Sequence, residues 1–112
     1  MSESPLVKDT RLLLSHGDVR LFRNNVGVLQ DRNGNYIQFG LAIGSGDLIG
    51  FKSVNVTPEM VGQVVAILVS LEAKTGRGRE SSEQMWWRGM VQNHGGITGV
   101  FRTVDEAREI LK

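Results

Sequence analysis

The apolar run from Val64 to Leu71, closed by Glu72-Ala73-Lys74, constrains this chain more than any other segment. A run so apolar and so β-branched predicts a strand buried on both faces. Side chains alternate along a strand, so Glu72 and Lys74 fall on one side and Ala73 on the other. A carboxylate and an ammonium then leave the core together at a strand end. Structure alone rarely asks for such a pair, but metal-dependent chemistry does.

The chain has 112 residues, which suits one domain over 1–112 with a modest core that a partner subunit helps to complete. The formal net charge is only +1, so no global basic field announces a nucleic-acid partner. Basic residues do cluster locally. Lys74, Arg77 and Arg79 follow the apolar run, while Arg20, Arg23, Lys52 and Arg88 flank other marked segments. With 0 cysteines, disulfides and cysteine-ligated zinc are excluded. The longest apolar run is too short to span a bilayer, and the opening Met-Ser-Glu-Ser-Pro lacks a signal pattern. A cytoplasmic protein away from membranes is expected.

Ser4 with Pro5 starts a helix whose Leu6, Thr10, Leu13 and Leu14 share a face, and His16-Gly17-Asp18 ends it. Val19 to Phe22 reads as a short strand. Asp31 to Asn35, with Asn33-Gly34 as its two-residue signal, joins Val26–Leu29 to Tyr36–Ile43 as a hairpin. Asp47 to Phe51 is another short strand, and the long run follows. Ser81 and Gln84 form a capping box for a helix to His94, with Trp87, Met90, Val91 and His94 inward. Thr98 to Phe101 is a last strand. Thr103 with Glu106 forms a second capping box, opening a final helix with Val104, Ala107, Ile110 and Leu111 inward. This order predicts an α/β domain with a central mixed sheet flanked by helices.

Asp47, in Gly44-Ser-Gly-Asp-Leu-Ile-Gly50, stands at the rim of one strand, and Glu72 at the end of the next. Two carboxylates are hard-oxygen ligands for Mg²⁺ or Mn²⁺. Such an ion acidifies water and offsets charge on phosphate, and Lys74 can position that water or neutralise the phosphate. If phosphate lies there, Arg77 and Arg79 are placed to contact it. Plainer readings stand beside these. Glu72 and Lys74 also fit an exposed ion pair, Asp47 fits a turn cap, and Gln84 fits a cap with or without chemistry. Arg23, Asn24 and Asn25 fit either turn chemistry or DNA contact. His16 and His94 fit helix ends. Trp87 fits the core, and Trp86 an interface or a DNA contact.

The ordered set of Arg23-Asn-Asn-Val-Gly27, Phe39-Gly40, Gly44 to Gly50, Leu71-Glu-Ala-Lys-Thr-Gly76, Gln84, Gly95-Gly96 and Val104-Asp-Glu-Ala107 resembles the virus-type replication-repair nuclease (VRR-Nuc) domain of the PD-(D/E)xK nucleases. Nearly the whole chain is covered, though Gly46 stands where the motif's name has Pro. The resemblance implies a restriction-endonuclease-like core and a divalent-metal DNA endonuclease that hydrolyses phosphodiester bonds. Stand-alone phage and bacterial members resemble Holliday-junction resolvases and act as homodimers on branched DNA. It implies Asp47, Glu72, the Ala73 carbonyl and Glu3 as ligands of Mg²⁺ or Mn²⁺, and Lys74 as the catalytic lysine beside Gln84. A dimer would gather Arg77, Arg79, Lys52 and Arg20 on one DNA-binding surface. The alternatives are a flap or nicking endonuclease with the same site, or a non-catalytic DNA-binding module.

Overall fold

The computed structural model describes residues 3–112; Met1 and Ser2 lie outside the described residues. In chain order the elements are α1 (Pro5–Leu14), β1 (Val19–Arg23), β2 (Gly27–Gln30), β3 (Tyr36–Phe39), β4 (Leu48–Lys52), a 3-10 turn (Pro58–Met60), β5 (Val69–Ala73), α2 (Ser82–Asn93), β6 (Ile97–Phe101) and α3 (Val104–Ile110). The result is a small α/β fold, with the described strands paired as three two-stranded sheets. The chain divides into two compact units, one running to Val54 and the other from Asn55 to Lys112.

In the first unit, Ser4 caps α1 by accepting the Val7 amide at 3.2 Å, with Pro5 in the first turn. The helix packs on β1, but through Val7, Thr10 and Arg11. The expected leucine stripe is turned outward, with Leu6 77% and Leu13 72% exposed. The reason is Arg11, whose guanidinium reaches back to both carboxylate oxygens of Glu3 at 2.8 and 3.0 Å and takes the inner face. Strand β1 pairs antiparallel with β4, from Val19 opposite Lys52 to Arg23 opposite Leu48. Gly50 allows this pairing, since a Cβ there would lie 1.8 Å from the Arg20 carbonyl oxygen. Strands β2 and β3 form the expected hairpin, with Gly27 opposite Phe39. Its turn is organised by Asp31, whose carboxylate accepts the amides of Asn33 and Asn35, both at 2.9 Å. Strand β3 ends at Phe39, because Gly40 takes a φ of 84°.

In the second unit, β5 and β6 run parallel, from Val69 opposite Ile97 to Ala73 opposite Phe101, with α2 as the crossover. Helices α2 and α3 both pack on β6. Val91 of α2 is fully buried, and the Trp87 indole N–H donates to Ser70 Oγ at 2.8 Å. The long apolar run is not one long strand. Only Val69 onward pairs, while Val64 is 101% and Ile67 53% exposed. The ladder is as long as its partner, and β6 begins at Ile97. Among the described residues, no helix is long and apolar enough to cross a membrane.

Candidate functional site

Glu72 and Lys74 project to one side at the end of β5, with Lys74 Nζ 3.6 Å from Glu72 Oε1. Gln84, on the first turn of α2, joins them. Its Nε2 donates to Glu72 Oε1 at 2.6 Å, and its Oε1 accepts from Lys74 Nζ at 2.9 Å. The same Oε1 accepts the Ser81 amide at 2.9 Å, and Ser81 Oγ accepts the Gln84 amide at 3.1 Å. The capping box and the side-chain bridge are thus one arrangement: the amide that starts α2 also fixes the Glu72 carboxylate against the Lys74 ammonium. Charge-assisted contacts of this kind are the stronger hydrogen bonds.

The loop after Lys74 carries Arg77 and Arg79, both exposed. Arg102, just past β6, holds that loop by donating to the carbonyls of Gly76 at 3.1 Å and Gly78 at 2.6 Å. Glu80 receives Arg88 through both carboxylate oxygens at 2.8 and 3.0 Å. Glu72, Glu80, Glu83, Gln84 and Arg88 are among the residues that line a cavity of about 280 Å³. Arg102 and the Glu80–Arg88 pair were not read as functional from sequence. Their contacts join residues that no local motif links.

In the first unit, Asp47 stands at the head of β4 on the wall of a cleft of about 650 Å³. Glu3, Arg23, Asn24 and Asn25 line the same cleft. Glu3 lies beside Arg11, whose guanidinium hydrogen bonds hold the carboxyl below the ordinary glutamate range. Asn24 is turned onto the Leu41–Gly46 loop: its Nδ2 donates to Ser45 Oγ at 2.7 Å and to the Gly46 carbonyl at 2.9 Å. Lys52 is exposed at the far end of β4 from Asp47. Arg20 donates to the carbonyls of Gly17 and Val19 at 2.9 and 2.6 Å.

No family model, curated protein or solved structure matches the chain. The chemistry of the donors remains. Asp47 and Glu3 belong to the first unit, and Glu72 and Ala73 to the second. Among the described residues, no group of three or more His, Cys, Asp or Glu is gathered as a metal site. The donors are nonetheless hard oxygens, three carboxylates and the Ala73 backbone carbonyl, the type that suits Mg²⁺ or Mn²⁺. No described residue bonds to the Asp47 side chain, and Glu72 uses Oε1 for Gln84.

Proposed function

We propose that this chain is a divalent-metal-dependent, structure-specific DNA endonuclease of the VRR-Nuc type, with a PD-(D/E)xK core, acting as a homodimer on branched DNA such as a four-way junction. The observation that supports it best is the single amide of Gln84 joining Glu72 to Lys74 at the end of β5. A surface ion pair by itself contributes little and needs no such third partner. A carboxylate and an ammonium held in fixed register suit metal-assisted phosphodiester hydrolysis.

Asp47, Glu72, the Ala73 carbonyl and Glu3 are the residues proposed to hold Mg²⁺ or Mn²⁺. When bound, the ion supplies acidification of water and neutralisation of charge on the phosphate. Lys74 places its ammonium where negative charge builds on the phosphoryl oxygens. Gln84 holds the Glu72 carboxylate and that ammonium in fixed register, 3.6 Å apart. Arg77 and Arg79 bind backbone phosphates from a loop that Arg102 fixes, with Arg23, Asn25 and Lys52 as further contacts. A cytoplasmic setting in a bacterium or phage-infected host accompanies this reading.

The test is cleavage of labelled four-way junction, flap and duplex DNA in Mg²⁺ or Mn²⁺ against chelator. Junction cleavage that chelator abolishes is expected. Lys74→Ala should lower kcat by about 10²-fold, the cost of losing one transition-state charge partner. Absence of metal-dependent cleavage on every substrate would sink the enzyme reading. Cleavage that survives Glu72→Ala would remove the site assignment, and preference for flap DNA would replace the junction. A sedimentation coefficient matching a monomer would count against the homodimer.

A further inference from the structure

Asn24 immediately follows β1, and its backbone N–H donates to the Asp47 carbonyl at 2.8 Å, extending the β1–β4 ladder by one step. Its side chain then reaches across the loop that delivers Asp47. Nδ2 donates to Ser45 Oγ at 2.7 Å and to the Gly46 carbonyl at 2.9 Å, while Oδ1 accepts the Leu41 amide at 3.1 Å. The orientation of the amide follows from its partners, because a backbone N–H can only donate and a carbonyl can only accept. Ser45 ties the loop to itself by donating to the Ala42 carbonyl at 2.6 Å. Gly40 and Gly44, with φ of 84° and 88°, give the backbone the bends this closure needs. The Asn24 side chain therefore fastens both ends of the loop, and the backbone N–H of Asn24 fastens the carbonyl of Asp47.

We propose that Asn24 is a positioning residue for Asp47, and that its side chain is committed to the Leu41–Asp47 loop instead of to DNA. The assignment rests on the reading of Asp47 as a ligand of Mg²⁺ or Mn²⁺. Groups that orient a metal ligand without touching the metal typically change metal affinity by about 10- to 100-fold when removed. A group that contacts DNA changes the KM for DNA and leaves the metal requirement alone. The two roles thus separate in measurement.

The experiment uses the full chain as wild type, Asn24→Ala, Ser45→Ala and Asp47→Asn. Mn²⁺ binding without DNA is followed by the spin-resonance signal of the free ion, and amide hydrogen exchange by mass spectrometry. Asn24→Ala should weaken Mn²⁺ binding by about tenfold or more and speed exchange across Leu41 to Asp47. Ser45→Ala, which removes only one of the loop's ties, should shift both in the same direction by less, and it serves if Asn24→Ala does not fold. At saturating Mn²⁺, the KM for junction DNA should stay at the wild-type value. Unchanged Mn²⁺ binding in both loop variants overturns the proposal, even with faster exchange, since the role would then be structural only. A raised KM at saturating Mn²⁺ with normal Mn²⁺ binding also overturns it, in favour of DNA contact. Mn²⁺ binding that Asp47→Asn leaves intact overturns it too, since no ligand is left to position. Failure of wild type to cleave DNA sinks the nuclease reading instead, and Mn²⁺ binding still judges Asn24.

Discussion

Replacing Gln84 by glutamate tests the bridge at β5 with little change of shape. The variant keeps an acceptor for the Ser81 amide and the Lys74 ammonium, but it loses the donor that meets Glu72 at 2.6 Å. Two carboxylates then face each other. Relaxed to about 4 Å, two unit charges repel by about 1 kcal/mol in water and about 4 kcal/mol at an effective dielectric near 20. Glu72 is 39% exposed and the Lys74 ammonium is 3.6 Å away, which favours the lower end. A net penalty of about 1–2 kcal/mol results. Proton uptake is the escape. From an ordinary glutamate value it costs about 4 kcal/mol at pH 7 and about 1 kcal/mol near pH 5. The neutral-pH protein thus bears the repulsion, while the acid protein relieves it. Protonating the introduced carboxyl removes the repulsion, so the variant gains on wild type as pH falls and loses as pH rises. At roughly 4 °C per kcal/mol for a chain of this size, Tm should drop by about 4–8 °C at neutral pH and by less near pH 5. Thermal unfolding followed by circular dichroism at both pH values is the assay. A Gln84→Glu protein that melts with wild type at neutral pH, or whose deficit grows on acidification, would refute the bridge.

Arg102→Ala should free the carbonyls of Gly76 and Gly78 and speed tryptic cleavage after Arg77 and Arg79, with a stability loss under about 1 kcal/mol because the contact is exposed. Unchanged cleavage rates would mean that Arg102 does not hold the loop. The Glu3 carboxyl should titrate below the ordinary glutamate value because Arg11 hydrogen-bonds its charged form. Its contribution to stability is present above the ordinary value and lost as pH falls through the lowered one. An NMR titration of Glu3 in wild type and Arg11→Met checks this, and coincident midpoints would show that Arg11 is not the cause.

Local chemistry was legible in the sequence, and long-range commitments were not. Ser4-Pro5 and Ser81 with Gln84 marked where α1 and α2 begin, because caps are satisfied within a few residues. The period of two put Glu72 and Lys74 on one side of β5. The extent of that strand was not readable. An apolar run does not specify how many of its residues find a partner, and β6 supplies a ladder only from Val69. The leucines of α1 turned outward because Glu3 and Arg11 claimed the inner face, a preference hydropathy does not encode. At Thr103, only the cap half of the expected box forms, since the Glu106 carboxylate accepts the Arg102 amide instead. In the candidate site, Arg102 was missed and Asn24 was left open between turn chemistry and DNA contact, for a shared reason. Their partners stand 17 to 26 positions away, beyond any motif window.

The double duty of Gln84 has a kinetic corollary. Helix ends fray faster than any other part of a helix opens. Since the first turn of α2 and the Glu72–Lys74 arrangement share one amide, each opening of that turn also releases the two charges. The lifetime of the charge arrangement is therefore bounded by the lifetime of a single helical turn. Strengthening the cap would prolong the assembled state without any change to a charged residue.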